Sequence, residues 1–292
     1  MTTKKNLNIR CLKVPPSLIL YLFSKNEKIN KYFNVSFDMW NDARVMKDEV
    51  KSGCVDLCIL PSNLSASYYN QGLPMRLLSI NVWGILSILS YQDNQTNWSS
   101  LKNKTISVPL KGNMPDTMLN ILSKKNHLRI YNDFKVDYFE TYIDAMENVV
   151  QGKNFFVVLP EPYSTLAENK GLFRQIDFQK EWGKIFNCSS RYPQAGVFIS
   201  NKFSLEELTL FQSVLSDSTQ EVSNNIAFSS EIGHKLFNFD INIISQSIKN
   251  TIWLNIKATE ARQEIEKFFR ELISHDKKLV FGGIPNKNYY AI

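Results

Sequence analysis

The chain has 292 residues, 43% of them hydrophobic and 21% charged, which excludes a disordered or collagen-like chain and allows one large domain or two of ordinary size. Its 34 Lys and Arg against 28 Asp and Glu leave a formal charge of +6, but the cations are scattered among the acids, so the pattern reads as a mildly cationic solvated surface, with a nucleic-acid footprint the minor reading and no nucleic-acid partner expected. The apolar runs are too short to cross a bilayer: residues 16–23 stop at Ser24 and Lys25, and residues 77–89 are broken by Ser79, Asn81 and Ser87.

In chain order, Lys4 and Lys5 could open a signal peptide, but Lys13 and the Pro15-Pro16 pair break the stretch that follows. Either the chain is cytosolic or an export signal lies outside it. A strand is predicted over residues 8–14 and a helix over 16–24. Ala43, Met46 and Val50 then recur at helical spacing and close on Gly53. An unalternating apolar run over 55–60 reads as a strand covered on both faces, and Pro61-Ser62-Asn63 opens a helix that ends at Gly72.

About one hundred residues later the same grammar returns. A strand over 105–108 and a helix over 115–123 precede Ala145 and Val149, Gly152, an apolar run over 155–159, Pro160-Glu161-Pro162 and a helix ending at Gly171. Sliding the chain by 99 residues lays 49–84 over 148–183 without a gap and makes ten of the 36 pairs identical, from Val50/Val149 to Trp83/Trp182 and Gly84/Gly183. Ordinary composition would give about two or three. A period this long, repeated twice, announces two similar α/β lobes, each a β-α-β-α unit with a parallel sheet.

After the second copy come a strand over 196–200, a helix with a Ser204-Leu-Glu-Glu207 capping box and Leu208, Phe211 and Leu215 on one face, and a later helix with Ala258, Ala261, Ile265, Phe268, Phe269 and Leu272 as a core stripe. Open α/β sheets bind ligands at the carboxyl ends of their strands, where helix starts offer free N–H groups to anions. That rule selects Pro16 and Ser17, Ser62 and Asn63, the run Gly112, Asn113, Met114 and Asp116, and Glu161 with Tyr163. Trp40, Trp83 and Tyr192 stand near strand ends and could stack on a planar ligand, whereas Trp182 reads as core. Asp116 and Glu161 either form a carboxylate pair across a cleft or are first-turn partners of their own helices. Lys13 and Lys111 are the only cations in these turns, and Arg191 is a candidate by position alone, so no bidentate clamp for a sulfonate is evident.

Enzyme signatures are missing from the sequence. His127, His234 and His275 show no ligand spacing and read as surface residues, and neither G-x-S-x-G nor G-x-x-x-x-G-K-[ST] occurs. Cys11, Cys54, Cys58 and Cys188 form no metal signature. They read as buried strand thiols, with one disulfide as the alternative. No cofactor and no metal are expected.

The succession Gly53-Cys-Val-Asp-Leu-Cys-Ile-Leu-Pro-Ser-Asn, Asn81-Val-Trp-Gly, Leu101-Lys-Asn-Lys-Thr-Ile-Ser-Val-Pro, Leu159-Pro-Glu-Pro, Glu181-Trp-Gly-Lys, Tyr192-Pro-Gln-Ala-Gly-Val-Phe-Ile-Ser and Gly282-Gly-Ile-Pro-Asn-Lys-Asn-Tyr-Tyr resembles substrate-binding proteins of ABC transporters, of the nitrate/sulfonate/bicarbonate and thiamine-precursor class. The resemblance covers nearly the whole chain. It implies a type II periplasmic-binding-protein fold, with one lobe formed by residues 1–83 and 203–292 and the other by residues 84–202. It further implies a monomer that closes over a small anionic or heteroaromatic molecule and delivers it to a permease. The location would be periplasmic or extracellular, as a lipoprotein held to the membrane only by an anchor outside this chain. Two alternatives stay open: an intracellular enzyme on the same fold, similar to menaquinone-pathway enzymes or pyrimidine-precursor synthases, and a ligand-sensing domain.

Overall fold

The computed structural model describes residues 4–40, 45–93 and 97–292. The chain divides into two compact units, Met1–Trp83 with Pro193–Ile292, and Gly84–Tyr192. The first begins with β1 (Lys5–Leu12), α1 (Ser17–Lys25), α2 (Glu27–Tyr32), β2 (Phe33–Trp40), α3 (Met46–Lys51), β3 (Leu57–Pro61), α4 (Ser62–Asn70) and β4 (Met75–Val82). The second comprises β5 (Leu86–Ser90), β6 (Thr105–Pro109), α5 (Met114–Lys125), β7 (Lys135–Phe139), α6 (Tyr142–Val150), β8 (Phe156–Pro160), α7 (Tyr163–Asn169), β9 (Phe173–Asp177) and α8 (Phe178–Phe186). The chain then returns to the first unit as β10 (Ala195–Ser200), α9 (Leu205–Asn224), α10 (Ile226–Phe237), α11 (Ile241–Asn250), β11 (Trp253–Lys257) and α12 (Arg262–His275). Ala43, placed by periodicity in the helix before Gly53, lies outside the described residues.

The repeat is carried into the backbone. β3 and β8 occupy 57–61 and 156–160, the same displacement of 99, and the helix after each ends on a left-handed glycine, Gly72 at φ 85° and Gly171 at φ 88°. Beyond that point the copies part. The first continues as the eight-residue strand β4, whereas the second makes the five-residue β9 and then starts α8, because the Asp177 side chain accepts the Lys180 N–H as an N-cap. The identical Trp-Gly pairs at the end of the repeat therefore sit in different structure. Trp83 directly follows a strand and Trp182 lies within a helix.

The two sheets share a strand order, β2-β1-β3-β10-β4 in the first unit and β7-β6-β8-β5-β9 in the second, and the first adds β11 beyond β4. The predicted parallel pairing holds for β1 with β2 and β3, and for β6 with β7 and β8. The sheets are mixed all the same. β10 runs antiparallel to β3 and β4, and β5 antiparallel to β8 and β9. Each is the first strand after the chain passes from one unit to the other, and an apolar run does not encode the direction in which it will pair.

This insertion also moves a boundary. Residues 193–202, assigned to the second lobe by the resemblance, belong with the first unit, since β10 is an internal strand of its sheet, between β3 and β4. Gly196 makes the fit: a Cβ there would meet the Ser79 carbonyl oxygen at 2.4 Å. The predicted C-terminal elements pack on the same unit. Ser204 and Glu207 form the capping box, Phe211 of α9 packs edge-on against Phe23 at 5.5 Å, and Ile265, Phe268, Phe269 and Leu272 of α12 are buried, whereas Ala258 and Ala261, expected in the same helix, are buried ahead of its first residue.

Candidate functional site

In each unit the adjacent parallel strands end at the same sheet edge, and a helix starts from each: α1 after β1, α4 after β3, α5 after β6 and α7 after β8. None of these four helices has a side-chain N-cap bond, whereas α2, α6, α8, α9 and α11 are capped by Asn26, Thr141, Asp177, Ser204 and Asp240. Helix starts leave N–H groups without intrahelical partners. In α4 and α7 other groups answer one of them, the Gln194 carbonyl for the Ser62 N–H and the Glu161 carboxylate for the Thr165 N–H.

The turns of the first unit are closed from within. Ser17 is fully buried and donates its hydroxyl to the Leu12 carbonyl at 2.7 Å, and Pro16 is packed beside it. Ser62 donates its hydroxyl to the Pro193 carbonyl at 2.5 Å and its backbone N–H to the Gln194 carbonyl at 3.1 Å. The second unit repeats the latter contact at the equivalent position, where the Glu161 N–H donates to the Ile85 carbonyl at 3.0 Å. The residue that leads into each inserted antiparallel strand thus occupies the first N–H of the neighbouring turn. Asn63 stays half-buried and reaches the Leu279 carbonyl only at 3.4 Å.

The β6–α5 turn is built differently. Asp116, in the first turn of the helix and 7% exposed, accepts the Gly112 N–H at 2.8 Å, the Asn120 amide at 2.8 Å and the Tyr138 hydroxyl at 3.1 Å. Burial and the carboxylate beside it push the Tyr138 phenol well above its ordinary pKa, so the hydroxyl stays a donor. Lys111 lies over the same ring at 4.9 Å. Leu110 takes a left-handed φ of 54°, a costly conformation for a bulky residue and one that clusters at functional turns. Held this way, the turn exposes Gly112 and Asn113, and the Asn113 side chain makes no cap bond with α5. Met114 is buried at the helix start.

At the β8–α7 turn Glu161 is buried and its carboxylate receives Arg174 Nη2 at 2.5 Å and the Thr165 hydroxyl at 2.8 Å. Tyr163 is half-buried and stacks on Tyr142 at 4.6 Å between ring centroids. Asp116 and Glu161 both belong to the second unit, and each is engaged by its own donors, so they are not the facing carboxylate pair that their mirrored positions allowed. Both are closer to the structural alternative.

Three aromatic candidates turn out to be packing. Trp83 is fully buried and donates Nε1–H to the Leu254 carbonyl at 2.8 Å. Trp40 is 3% exposed and donates to Glu49 Oε2 at 2.8 Å. Tyr192 is fully buried with its hydroxyl on Gln179 Oε1 at 3.1 Å. Strand-end position drew attention to them because the end of a strand and the mouth of a pocket look alike in one dimension. Sequence reasoning missed Tyr138 and Arg174, which act on turns 22 and 13 residues away, and Gln179, which accepts the Leu86 N–H at the start of β5, 93 residues away. The cysteines split: Cys11 and Cys58 are buried strand thiols, while Cys54 and Cys188 are exposed and outside the strands, and all four are free.

No protein-family model matches the chain, and no curated protein sequence does. Solved structures do. A protein of Parabacteroides distasonis described as an ABC transporter superposes with a TM-score of 0.84 at 19% identity, over 99% of each chain. The chain has the fold of ABC-transporter periplasmic binding proteins. The binding-protein likeness extends to the periplasmic aliphatic sulphonate binding protein SsuA of Escherichia coli, with a TM-score of 0.74 at 15% identity over 97% of this chain and 93% of that one. It extends also to the periplasmic nitrate-binding protein NrtA of Synechocystis PCC 6803, at 0.68 and 13% over 94% and 82%. Among the described residues, no helix is long and apolar enough to cross a membrane.

Proposed function

We propose that this chain is the non-catalytic solute-binding component of an ABC importer, working outside the cytoplasmic membrane and capturing a small organic molecule, anionic or heteroaromatic, for a permease. The fold sets the class of reading, and the observation that carries it is the β6–α5 turn. An uncapped helix start, the exposed Asn113 amide and Lys111 on a turn held by Asp116 and Tyr138 make a rigid donor surface. Such a surface suits an anionic or hydrogen-bond-accepting group. The carboxylate beside these donors is engaged in holding the turn, accepting from Gly112, Asn120 and Tyr138. Tyr163 supplies a partly exposed ring at the neighbouring strand end.

The reading is tested by calorimetry and native mass spectrometry with ethanesulfonate, nitrate and an aminopyrimidine as probes. One equivalent of unchanged probe retained per chain supports capture, and conversion of a probe overturns the non-catalytic reading. Asn113→Ala should weaken the bound probe by roughly tenfold or more, the loss of one charge-assisted hydrogen bond of ~1.5 to 3 kcal/mol, with the unfolding temperature unchanged. Equal affinity in Asn113→Ala removes this turn from the site.

A further inference from the structure

Arg174 ties together four elements of the second unit. From β9 its Nη2 reaches Glu161 Oε1 at 2.5 Å, at the β8–α7 turn. Nε and Nη2 each meet a carboxylate oxygen of Glu168, on α7, at 2.9 Å. Nη2 lies 3.3 Å from the Thr165 hydroxyl, and Nη1 3.4 Å from the Ser87 hydroxyl on β5.

The two carboxylates are unequal. The Glu168 side chain is 35% exposed, whereas that of Glu161 is 1% exposed. Glu161 Oε2 accepts from Thr165, through its hydroxyl and, at 3.4 Å, its backbone N–H. Burial pushes the Glu161 carboxyl above its ordinary pKa, and Arg174 and the Thr165 donors oppose this. The neighbouring charges, Glu147 on α6 and Lys170 just after α7, pair with each other at 2.9 Å. Arg174 is therefore the cation that compensates Glu161.

We propose that Arg174 is a positioning residue for the second unit's ligand turn: it holds Glu161 as a buried carboxylate and so fixes residues 160–163, which present Tyr163, without touching the ligand itself. This rests on the binding reading above for its purpose, though not for its test. Remove the guanidinium and Glu161 is left as an unpaired buried charge, which takes up a proton more readily than it remains ionised. A carboxyl whose folded pKa lies above its unfolded one stabilises the fold at low pH and loses that contribution as pH rises through the folded value. Arg174→Gln should consequently be worst at high pH.

The experiment follows thermal unfolding of the full chain at about pH 5 and about pH 8, together with hydrogen exchange of a peptide spanning 160–166. It compares wild type, Arg174→Gln, Arg174→Lys and the Arg174→Gln/Glu161→Gln pair. Arg174→Gln should unfold roughly 5 to 10 °C below wild type at high pH, with at least half of that gap closing at low pH. Adding Glu161→Gln should abolish the pH dependence of the gap and restore exchange protection to residues 160–166. Arg174→Lys keeps the charge and should follow the wild-type pH profile. If Arg174→Gln does not accumulate, recovery of folded protein in the double variant carries the same meaning. A gap that is equal at both pH values, or a double variant no better than the single, overturns the proposal. None of these readouts needs a ligand, so a failure of the binding reading would show separately.

Discussion

Trp83 and Asn113 occupy opposite ends of the range of environments a candidate residue can meet. Trp83 has no exposed surface and a satisfied indole N–H, so Trp83→Ala should cost ~3 to 5 kcal/mol of stability by opening a cavity and orphaning the Leu254 carbonyl, and should affect ligand only through unfolding. Chemical denaturation of that variant checks the cost. The thiols divide in the same manner. Cys11 is pushed up to about 12 by burial, so it stays an unreactive thiol, and Cys58 is raised in the same direction for the same first reason. Iodoacetamide should label native protein at Cys54 and Cys188 and spare Cys11 and Cys58 until the chain is unfolded, as peptide mass spectrometry would show.

At the level of elements, the β6–α5 turn depends on one carboxylate. Asp116→Ala would remove the carboxylate that accepts from the Gly112 N–H and the Tyr138 hydroxyl, and would leave the Asn120 amide only the backbone carbonyl of residue 116. The expected outcome is a loss of ~1 to 3 kcal/mol in stability, with faster hydrogen exchange at residues 110–114 than in α7, since the two turns have separate supports. The inserted strands carry a similar local demand. Gly84, at φ 122°, lies against Gln179, whose Cγ would be 2.1 Å from an added Cβ, and Gln179 Oε1 accepts the Leu86 N–H. Gly84→Ala should therefore disturb β5 where it enters the sheet, and the loss should exceed that for Gly112→Ala, which meets no atom within 4 Å. Comparison of the two unfolding midpoints decides it.

Across the whole molecule, the C-terminal residues complete the first unit. The Asn70 amide donates to the carbonyls of Val280 and Gly283 at 2.7 and 2.8 Å, Tyr289 is fully buried with its hydroxyl 2.9 Å from that of Ser65, and the Ala291 N–H reaches the Leu77 carbonyl at 2.8 Å. Tyr289→Ala should destabilise this unit by ~3 to 5 kcal/mol while leaving hydrogen exchange in Gly84–Tyr192 unchanged. Uniform loss of protection in both units would show that they unfold together.

Much of this architecture was legible in one dimension because its causes are local or periodic. Apolar runs marked β3 and β8, Ser204 and Glu207 wrote their capping box three residues apart, and the displacement of 99 announced the duplication. The carboxyl-end turns followed from those elements, which is why Asn113 and Tyr163 could be singled out. What chemistry each turn retains was decided only in three dimensions. A serine, a carboxylate or an indole at a strand end looks available until Pro193, Arg174 or Leu254 arrives beside it, 131, 13 or 171 residues away along the chain. The antiparallel placement of β5 and β10 has the same origin: a strand's own residues specify that it is buried, and its neighbours specify between which strands and in which direction.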